Sequence, residues 1–216
     1  MYKVCILTAG KGTRNKYITT NKALLPIGDE TALSYLVSKT PLEVEIIIAI
    51  GYNARAVISH ALQWGDRVTF AYADYEGIGR GPGYSLLCCK YYLQCPFIFT
   101  SCDTIVLEDY PEPNKNWIGV HPVEDTEQYL TVKGGELYDK EKDSPSNLAF
   151  IGVAGVKDYK DFWEGLSKPI LVNGEHQVTD GLRALRNIQE IPFTWFDTGN
   201  TEGYENADRY FSKSLS

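Results

Sequence analysis

The strongest chemical signal in the 216-residue chain is Leu7-Thr8-Ala9-Gly10-Lys11-Gly12-Thr13-Arg14, a strand-like run that opens into a basic, glycine-containing loop. Glycines let a backbone approach a ligand closely and aim successive N–H groups at phosphate oxygens. Lys11 and Arg14 add charge, and an arginine can grip a phosphate with two parallel hydrogen bonds. The spacing is neither the GxxxxGK[ST] of a Walker loop nor the GxGxxG of a dinucleotide site. Taken alone, such a loop is a weak signal and more often an ordinary strand-to-helix connection; the cations inside it favour phosphate. Further on, Asp103 ends the apolar run Phe97-Ile98-Phe99-Thr100, and Asp197 stands in Trp195-Phe196-Asp197-Thr198-Gly199-Asn200. Each aspartate has a bland alternative as a turn former. His60, His121 and His176 lack the spacing of a metal motif and are assigned no catalytic role.

The charge distribution points the same way. The chain holds 21 basic and 28 acidic residues, net −7, which argues against general nucleic-acid binding. Residues 1–28 nevertheless contain Lys3, Lys11, Arg14, Lys16 and Lys22 and no carboxylate, so a fragment of +5 leads an otherwise acidic protein. A local cationic patch of this kind suits a small anionic ligand. With 44% apolar and 12% aromatic residues the chain reads as globular, not disordered. Its longest apolar runs are far below the ~18–20 residues of a membrane span. The first residues have no signal-peptide layout. The five cysteines therefore read as reduced core thiols of a cytoplasmic protein.

The elements that must carry these residues alternate. Strands are predicted at Val4–Thr8, Val44–Ile50, Val68–Tyr72 and Phe97–Thr100, with helices at Thr31–Ser38, Ala54–Trp64 and Tyr84–Leu93. This β-α-β-α order implies a parallel sheet covered by helices. The later part is less regular. Short strands are expected at 117–121, 129–132, 136–138, 148–156 and 193–196, and helices at 158–166, 178–187 and 202–210. No linker or repeat divides the chain. The expectation is one domain over 1–216, with a nucleotide-binding half over about 1–110 and an acceptor-binding half over about 111–200. The end at 211–216 fits either a true terminus or a cut in a longer protein.

The ordered motifs resemble the nucleoside-triphosphate transferase family, the nucleotidyltransferases that make nucleotide sugars and CDP-linked alcohols. LTAGKGTR followed by Asn21-Lys22-Ala23-Leu24-Leu25-Pro26-Ile27 is similar to the family's LAAGxGTR and (P)KxLxPI, with Thr8 in place of the usual alanine and a shorter Arg14–Lys22 interval. Asp103 matches the family's metal-binding aspartate. Tyr138-Asp139-Lys140 falls where the family has an EKP-like motif, Glu175 to Asp180 where a segment ends in TD, and residues 195–200 where a WxDTGT box lies.

The resemblance implies a single Rossmann-like (GT-A-type) α/β/α sandwich with a mixed, mainly parallel central sheet. It also implies a Mg²⁺-dependent transfer of a nucleotide from an NTP (CTP, UTP, dTTP or GTP) to a small phosphorylated acceptor, with a sugar 1-phosphate as first choice. Arg14, Lys22 and Lys140 would be catalytic. Leu7, Ala9, Gly10, Lys11, Gly12, Thr13, Gly81, Gly83 and Ser85 would bind the nucleotide, Asp103 and Asp197 the metal, and Glu175 and Asp180 the acceptor. No nucleic-acid or membrane partner is expected, and a homodimer is compatible with this reading. The second reading is a CTP-dependent cytidylyltransferase of phosphocholine or another phospho-alcohol or phosphonate, since Tyr72-Ala73-Asp74-Tyr75 and Tyr84-Ser85-Leu86 are similar to bacterial choline-phosphate enzymes. Two others weighed against it are a GT-A glycosyltransferase, for which an Asp-x-Asp motif is missing at Asp103-Thr104-Ile105, and a catalytically silent nucleotide sensor.

Overall fold

A computed structural model describes residues 1–139 and 143–213. The chain opens with β1 (Lys3–Leu7), a buried run whose strand character comes from branched apolar residues on both faces. A two-stranded ribbon, β2 (Pro26–Ile27) and β3 (Glu30–Thr31), leads into α1 (Ala32–Ser38), whose first turn is capped by the Thr31 hydroxyl accepting from Ser34 N–H. β4 (Ile46–Ile50), α2 (Ala54–Ala61), β5 (Val68–Tyr72), α3 (Pro82–Cys88) and β6 (Phe97–Ser101) complete the alternating half. Then come β7 (Thr104–Val106), β8 (Trp117–Pro122), β9 (Leu130–Lys133), β10 (Glu136–Asp139) and β11 (Leu148–Val156). α4 (Tyr159–Leu166), α5 (Thr179–Arg183), β12 (Gln189–Pro192), β13 (Trp195–Asp197) and α6 (Thr201–Lys213) finish the chain.

The expected α/β fold is present. The central sheet runs β10-β9-β11-β6-β1-β4-β5, with β8 beside β11 and β12 beside β8. Strands β6, β1, β4 and β5 are parallel neighbours, so their C-terminal ends open on one rim, where ligands bind in open α/β sheets. β11 runs antiparallel to β6 and carries the sheet on into the second half of the chain. One apolar layer packs Ile6, Ile46 and Ile48 against α1 and α2, and the other packs Phe97 and Phe99 against α3 and α4, the latter through Phe162. Among the described residues no helix is long and apolar enough to cross a membrane; all five cysteines are free thiols, Cys5, Cys89 and Cys102 buried and Cys88 and Cys95 half-buried.

Some elements differ from the sequence expectation. The helix expected over 178–187 shrinks to α5, because Asn187 takes a left-handed conformation (φ 54°) and Gln189 turns the chain into β12 beside β8. The last strand slides from 193–196 to β13, which pairs antiparallel with β7 to form a small ribbon apart from the main sheet. Neither β7 nor β12 has enough apolar alternation to announce itself.

Packing across β11 and β8 is tight at Gly155, where a Cβ would overlap the indole of Trp117, a residue only 2% exposed. Gly155→Ala should therefore force the ring off its rotamer and cost about 1–3 kcal/mol. That corresponds to a melting temperature lowered by roughly 2–4 °C per kcal/mol for a chain of this size. Calorimetry of the variant checks this, and an unchanged melting temperature would show that the indole moves freely.

Candidate active site

The basic loop leaves β1 at Leu7. Thr8, fully buried, donates its hydroxyl to Ala49 O at 2.7 Å and its N–H to the same carbonyl at 3.0 Å, which explains how a hydroxyl sits where an alanine would serve. Gly12 has φ +67°, and a Cβ there would stand 2.7 Å from Ile18 Cδ1 and 3.1 Å from Lys22 Cβ, so both its conformation and its space require glycine. The loop then returns to Asn21, a buried side chain that donates to Thr8 O and Tyr52 O and accepts from Ala23 N–H. Those three bonds fix the short 3₁₀ turn Lys22–Leu24 and aim the Lys22 side chain across the rim.

Its partner is Asp103. Lys22 Nζ lies 2.7 Å from Asp103 Oδ2, and the two side chains are only 18% and 13% exposed. Burial would lower the lysine pKa, but the Asp103 carboxylate outweighs it and holds the ammonium above its ordinary value. Burial likewise penalises the Asp103 charge, yet Lys22, with help from Arg14, keeps that carboxyl below its ordinary value.

Asp197 arrives on the β7–β13 ribbon, where it pairs with Thr104. The turn after it locks to the first aspartate, because Thr198 donates both its N–H and its hydroxyl to Asp103 O, at 3.0 and 3.2 Å. Asp197 Oδ2 accepts from Tyr129 Oη at 3.2 Å and Asn200 Nδ2 at 2.8 Å, and Oδ1 accepts from Gly199 N–H at 3.0 Å. Burial and the neighbouring Asp103 charge push its pKa up. Burial and the Asp197 carboxylate push the Tyr129 phenol up to about 12, so it stays a donor at neutral pH.

A Cβ on Gly199 would stand 2.7 Å from Asp103 Oδ2 and 2.9 Å from Asp197 Oδ1. The two oxygens therefore flank a single small volume that only glycine leaves open. Among the described residues no group of three or more His, Cys, Asp or Glu side chains is placed to hold a metal. Two carboxylates on one side of an open cleft fit a hard cation that takes its remaining oxygens from a phosphate.

Lys22, Asp103, Tyr129 and Asp197 meet in one cleft of about 670 Å³. Leu7, Ala9, Gly10, Lys11, Gly12, Thr13, Arg14, Lys22, Gly81, Ser85, Asp103, Glu175 and Asp197 of the sequence-predicted residues lie on its wall. Lys11 reaches over the Tyr75 ring to Glu76 Oε1 at 2.5 Å. Ser85 directs its hydroxyl to Gly81 O at 3.1 Å. Gly83 stands behind the wall: its N–H donates to His176 O, and a Cβ there would overlap the Gln177 carbonyl. Asp180 is also off the cleft, its Oδ2 accepting from Ile170 N–H at 2.9 Å. Glu175 borders the Gly81 loop. Lys140 lies outside the described residues. Sequence reasoning did not single out Asn15, Asn21, Tyr129 or Asn200. Polar residues beside a motif carry no periodic signal, and their roles come from contacts such as Tyr129 with Asp197, 68 positions away.

Lys22→Met should leave Asp103 buried beside Asp197 without its main counter-charge. Removing one partner of a buried pair costs about 3–5 kcal/mol, and the residual exposure here argues for the lower end. Because the folded Asp103 pKa is depressed, the pair's stabilisation is present above the ordinary carboxylate range and is lost as pH falls through the depressed value. Unfolding titrations should thus show a large gap between wild type and variant at pH 7 that closes below about pH 4. A gap independent of pH would mean that lysine packing, not charge, is lost.

No protein-family model and no curated protein matches the sequence. Solved structures do. A UDP-glucose pyrophosphorylase complexed with UDP-glucose superposes with a TM-score of 0.82 at 25% identity, covering 99% of this chain and 100% of that one. A protein of Bacillus anthracis assigned as a glucose-1-phosphate thymidylyltransferase, in complex with sucrose, gives 0.76 at 20% identity over 97% and 95%. A UTP-bound UGPase from Acinetobacter baumannii gives 0.74 at 18% over 98% and 93%. The chain thus has the fold of sugar-phosphate nucleotidyltransferases along its whole length, as the motif resemblance implied.

Proposed function

We propose that this protein is a Mg²⁺-dependent nucleotidyltransferase that joins an NTP to a sugar 1-phosphate. The observation that carries the reading is the convergence of Arg14, Lys22, Asp103 and Asp197 on one cleft beside a glycine loop. In the reaction a phosphate oxygen of the acceptor attacks the α-phosphorus of the nucleotide. The bond to the bridging oxygen breaks, and pyrophosphate leaves with that electron pair. Such chemistry needs positioning and charge stabilisation more than covalent help from the protein.

Residues 10–14 offer backbone N–H groups and Arg14 a guanidinium to the triphosphate. Lys22 stands where it can turn from Asp103 toward phosphate oxygens. Asp103 and Asp197 would hold Mg²⁺, which when bound draws charge from the oxygens of the reacting phosphates. Lys140, from the resemblance, would hold the attacking phosphate.

For the acceptor, the cleft wall favours a sugar over a quaternary ammonium. Gln128, Asp139, Glu175, Gln177 and Thr179 line it with hydrogen-bonding groups suited to ring hydroxyls. Asp139 Oδ2 and Trp195 Nε1 are buried with no partner among the described residues, an unspent acceptor and donor in the same wall. The aromatic rings instead pair off, Tyr129 with Trp195, Phe99 with Phe150 and Tyr75 with Tyr52. A cation cage needs several ring faces turned on one point. UTP or dTTP with a glucose-type 1-phosphate is the first pair to assay, because similar structures were solved with UDP-glucose and UTP.

Two measurements test this. Pyrophosphate release should require Mg²⁺ and a sugar 1-phosphate; turnover confined to CTP with phosphocholine, glycerol phosphate or aminoethylphosphonate would replace this reading with the cytidylyltransferase one. Arg14→Ala should reduce kcat/KM by about 10²–10³, as loss of a charge-stabilising donor does elsewhere, with little change in melting temperature since the side chain is exposed. Near-normal turnover in that variant would remove Arg14 from the site.

A further inference from the structure

We propose that Asn15 is a positioning residue that couples the triphosphate loop to the metal-bearing turn, so that nucleotide and metal bind cooperatively. This rests on the nucleotidyltransferase reading above.

The loop is suspended between two posts. On one side Ala9 O accepts from Tyr52 N–H at 2.8 Å. From there to Asn15, the N–H groups of residues 10–14 have no backbone acceptor among the described residues, and Thr13–Arg14 form a turn leading into Asn15. These N–H groups are thereby left for a ligand, but the backbone is held in place only at its ends.

Asn15 is the second post. It is 4% exposed in a stretch whose neighbours Arg14 and Lys16 are open to solvent. Its Nδ2 donates to Thr198 O at 2.9 Å across 183 residues of sequence, and its Oδ1 accepts from Tyr17 N–H at 2.9 Å. Thr198 is the residue that donates twice to Asp103 O and stands next to Asp197. One side-chain amide therefore joins the loop bearing Arg14 to the turn that sets both carboxylates. A shift of either is transmitted to the other, which is the physical content of a coupling free energy between two ligands.

The other links between this segment and the last helix lie on the surface. Tyr17 Oη donates to Glu205 at 2.8 Å, and Lys16 reaches the same carboxylate at 3.5 Å with both side chains well exposed. Exposed pairs of this kind contribute little, so they serve as the control.

The experiment is calorimetric titration of UTP into the protein with and without Mg²⁺, for wild type, Asn15→Ala, Asn15→Asp and Tyr17→Phe, with melting temperatures recorded alongside. The quantity read is the factor by which Mg²⁺ tightens UTP binding. Asn15→Asp is close in shape and keeps the acceptor for Tyr17 N–H, but faces Thr198 O with an oxygen instead of a donor. It therefore reports even if the alanine variant fails to fold. The factor should fall about fivefold or more in both Asn15 variants, the low end of typical coupling, and stay at the wild-type value in Tyr17→Phe. A merely structural asparagine would lower the melting temperature and leave the factor unchanged in the folded variants, which would overturn the proposal. A matching fall in Tyr17→Phe would also overturn it, by assigning the effect to general anchoring of the segment. Wild-type protein that binds no triphosphate under either condition overturns the functional reading itself.

Discussion

The cleft is organised around one short ion pair between side chains 81 residues apart, Lys22 and Asp103. Both charges are largely out of water, where each would be strongly destabilising alone. Their meeting therefore fixes the exit of the β1 loop against the end of β6 to within a hydrogen-bond length. Asn21 pins the lysine's turn from below through Thr8 and Tyr52, and Cys102 N–H bonds Leu7 O beside the aspartate. The parallel register of β1 and β6, with Leu7 opposite Ser101, delivers the two chain ends to the same height on the rim.

Asp197 is tolerated next to this pair for reasons that can be counted. Its burial and its proximity to Asp103 both disfavour its charge. Three donors, from Tyr129, Asn200 and Gly199, and the field of Arg14 oppose that penalty. The β7–β13 ribbon exists to bring it there, and Gly199 leaves the space between the carboxylates open. The glycine-rich entry to α3 is tied in a comparable way, Gly79 N–H to Gly174 O and Gly83 N–H to His176 O, so the segment ahead of α5 packs against the first half of the chain.

Much of this was legible in the sequence because it follows from local rules. Continuous branched runs such as Ile46-Ile47-Ile48-Ala49-Ile50 have few alternatives to a buried parallel strand, and the glycine loop with its cations stands out by type and spacing. The convergence of Arg14, Lys22, Asp103 and Asp197 was legible only as an ordered set of motifs. What escaped was set by long-range contact. β12 exists because β8 offers an edge, β7 because β13 does, and neither pattern is apolar enough to be read alone. Asp180, expected at the acceptor from its place in the TD segment, accepts from the backbone of Ile170, a contact that the motif does not announce. Asn15 and Asn21 adjoin or open the two motifs, but they are polar residues buried by distant partners, and neither motif says what those partners are.

The buried ion pair also bears on how a charged ligand enters. A cleft with bare carboxylates would have to desolvate them at the moment of binding, whereas here Lys22 already neutralises Asp103, and Asn200 and Arg14 partly oppose the penalty on Asp197. Under the proposed function, a triphosphate accompanied by a divalent cation would bring charges of both signs, so its arrival would exchange partners instead of stripping water from lone ions: the cation for the carboxylates, phosphate oxygens for the ammonium of Lys22 and the guanidinium of Arg14. The electrostatic work is done largely at folding, in a site held rigid by backbone contacts, which is the condition under which fixed charges stabilise a transition state most effectively. The acid-free first 28 residues belong to the same logic. A carboxylate within that loop would compete with a phosphate ligand for Arg14 and Lys22, and the two acids of the cleft come from elsewhere, Asp103 from the turn between β6 and β7 and Asp197 from the end of β13, where the turn at Thr198 ties them together.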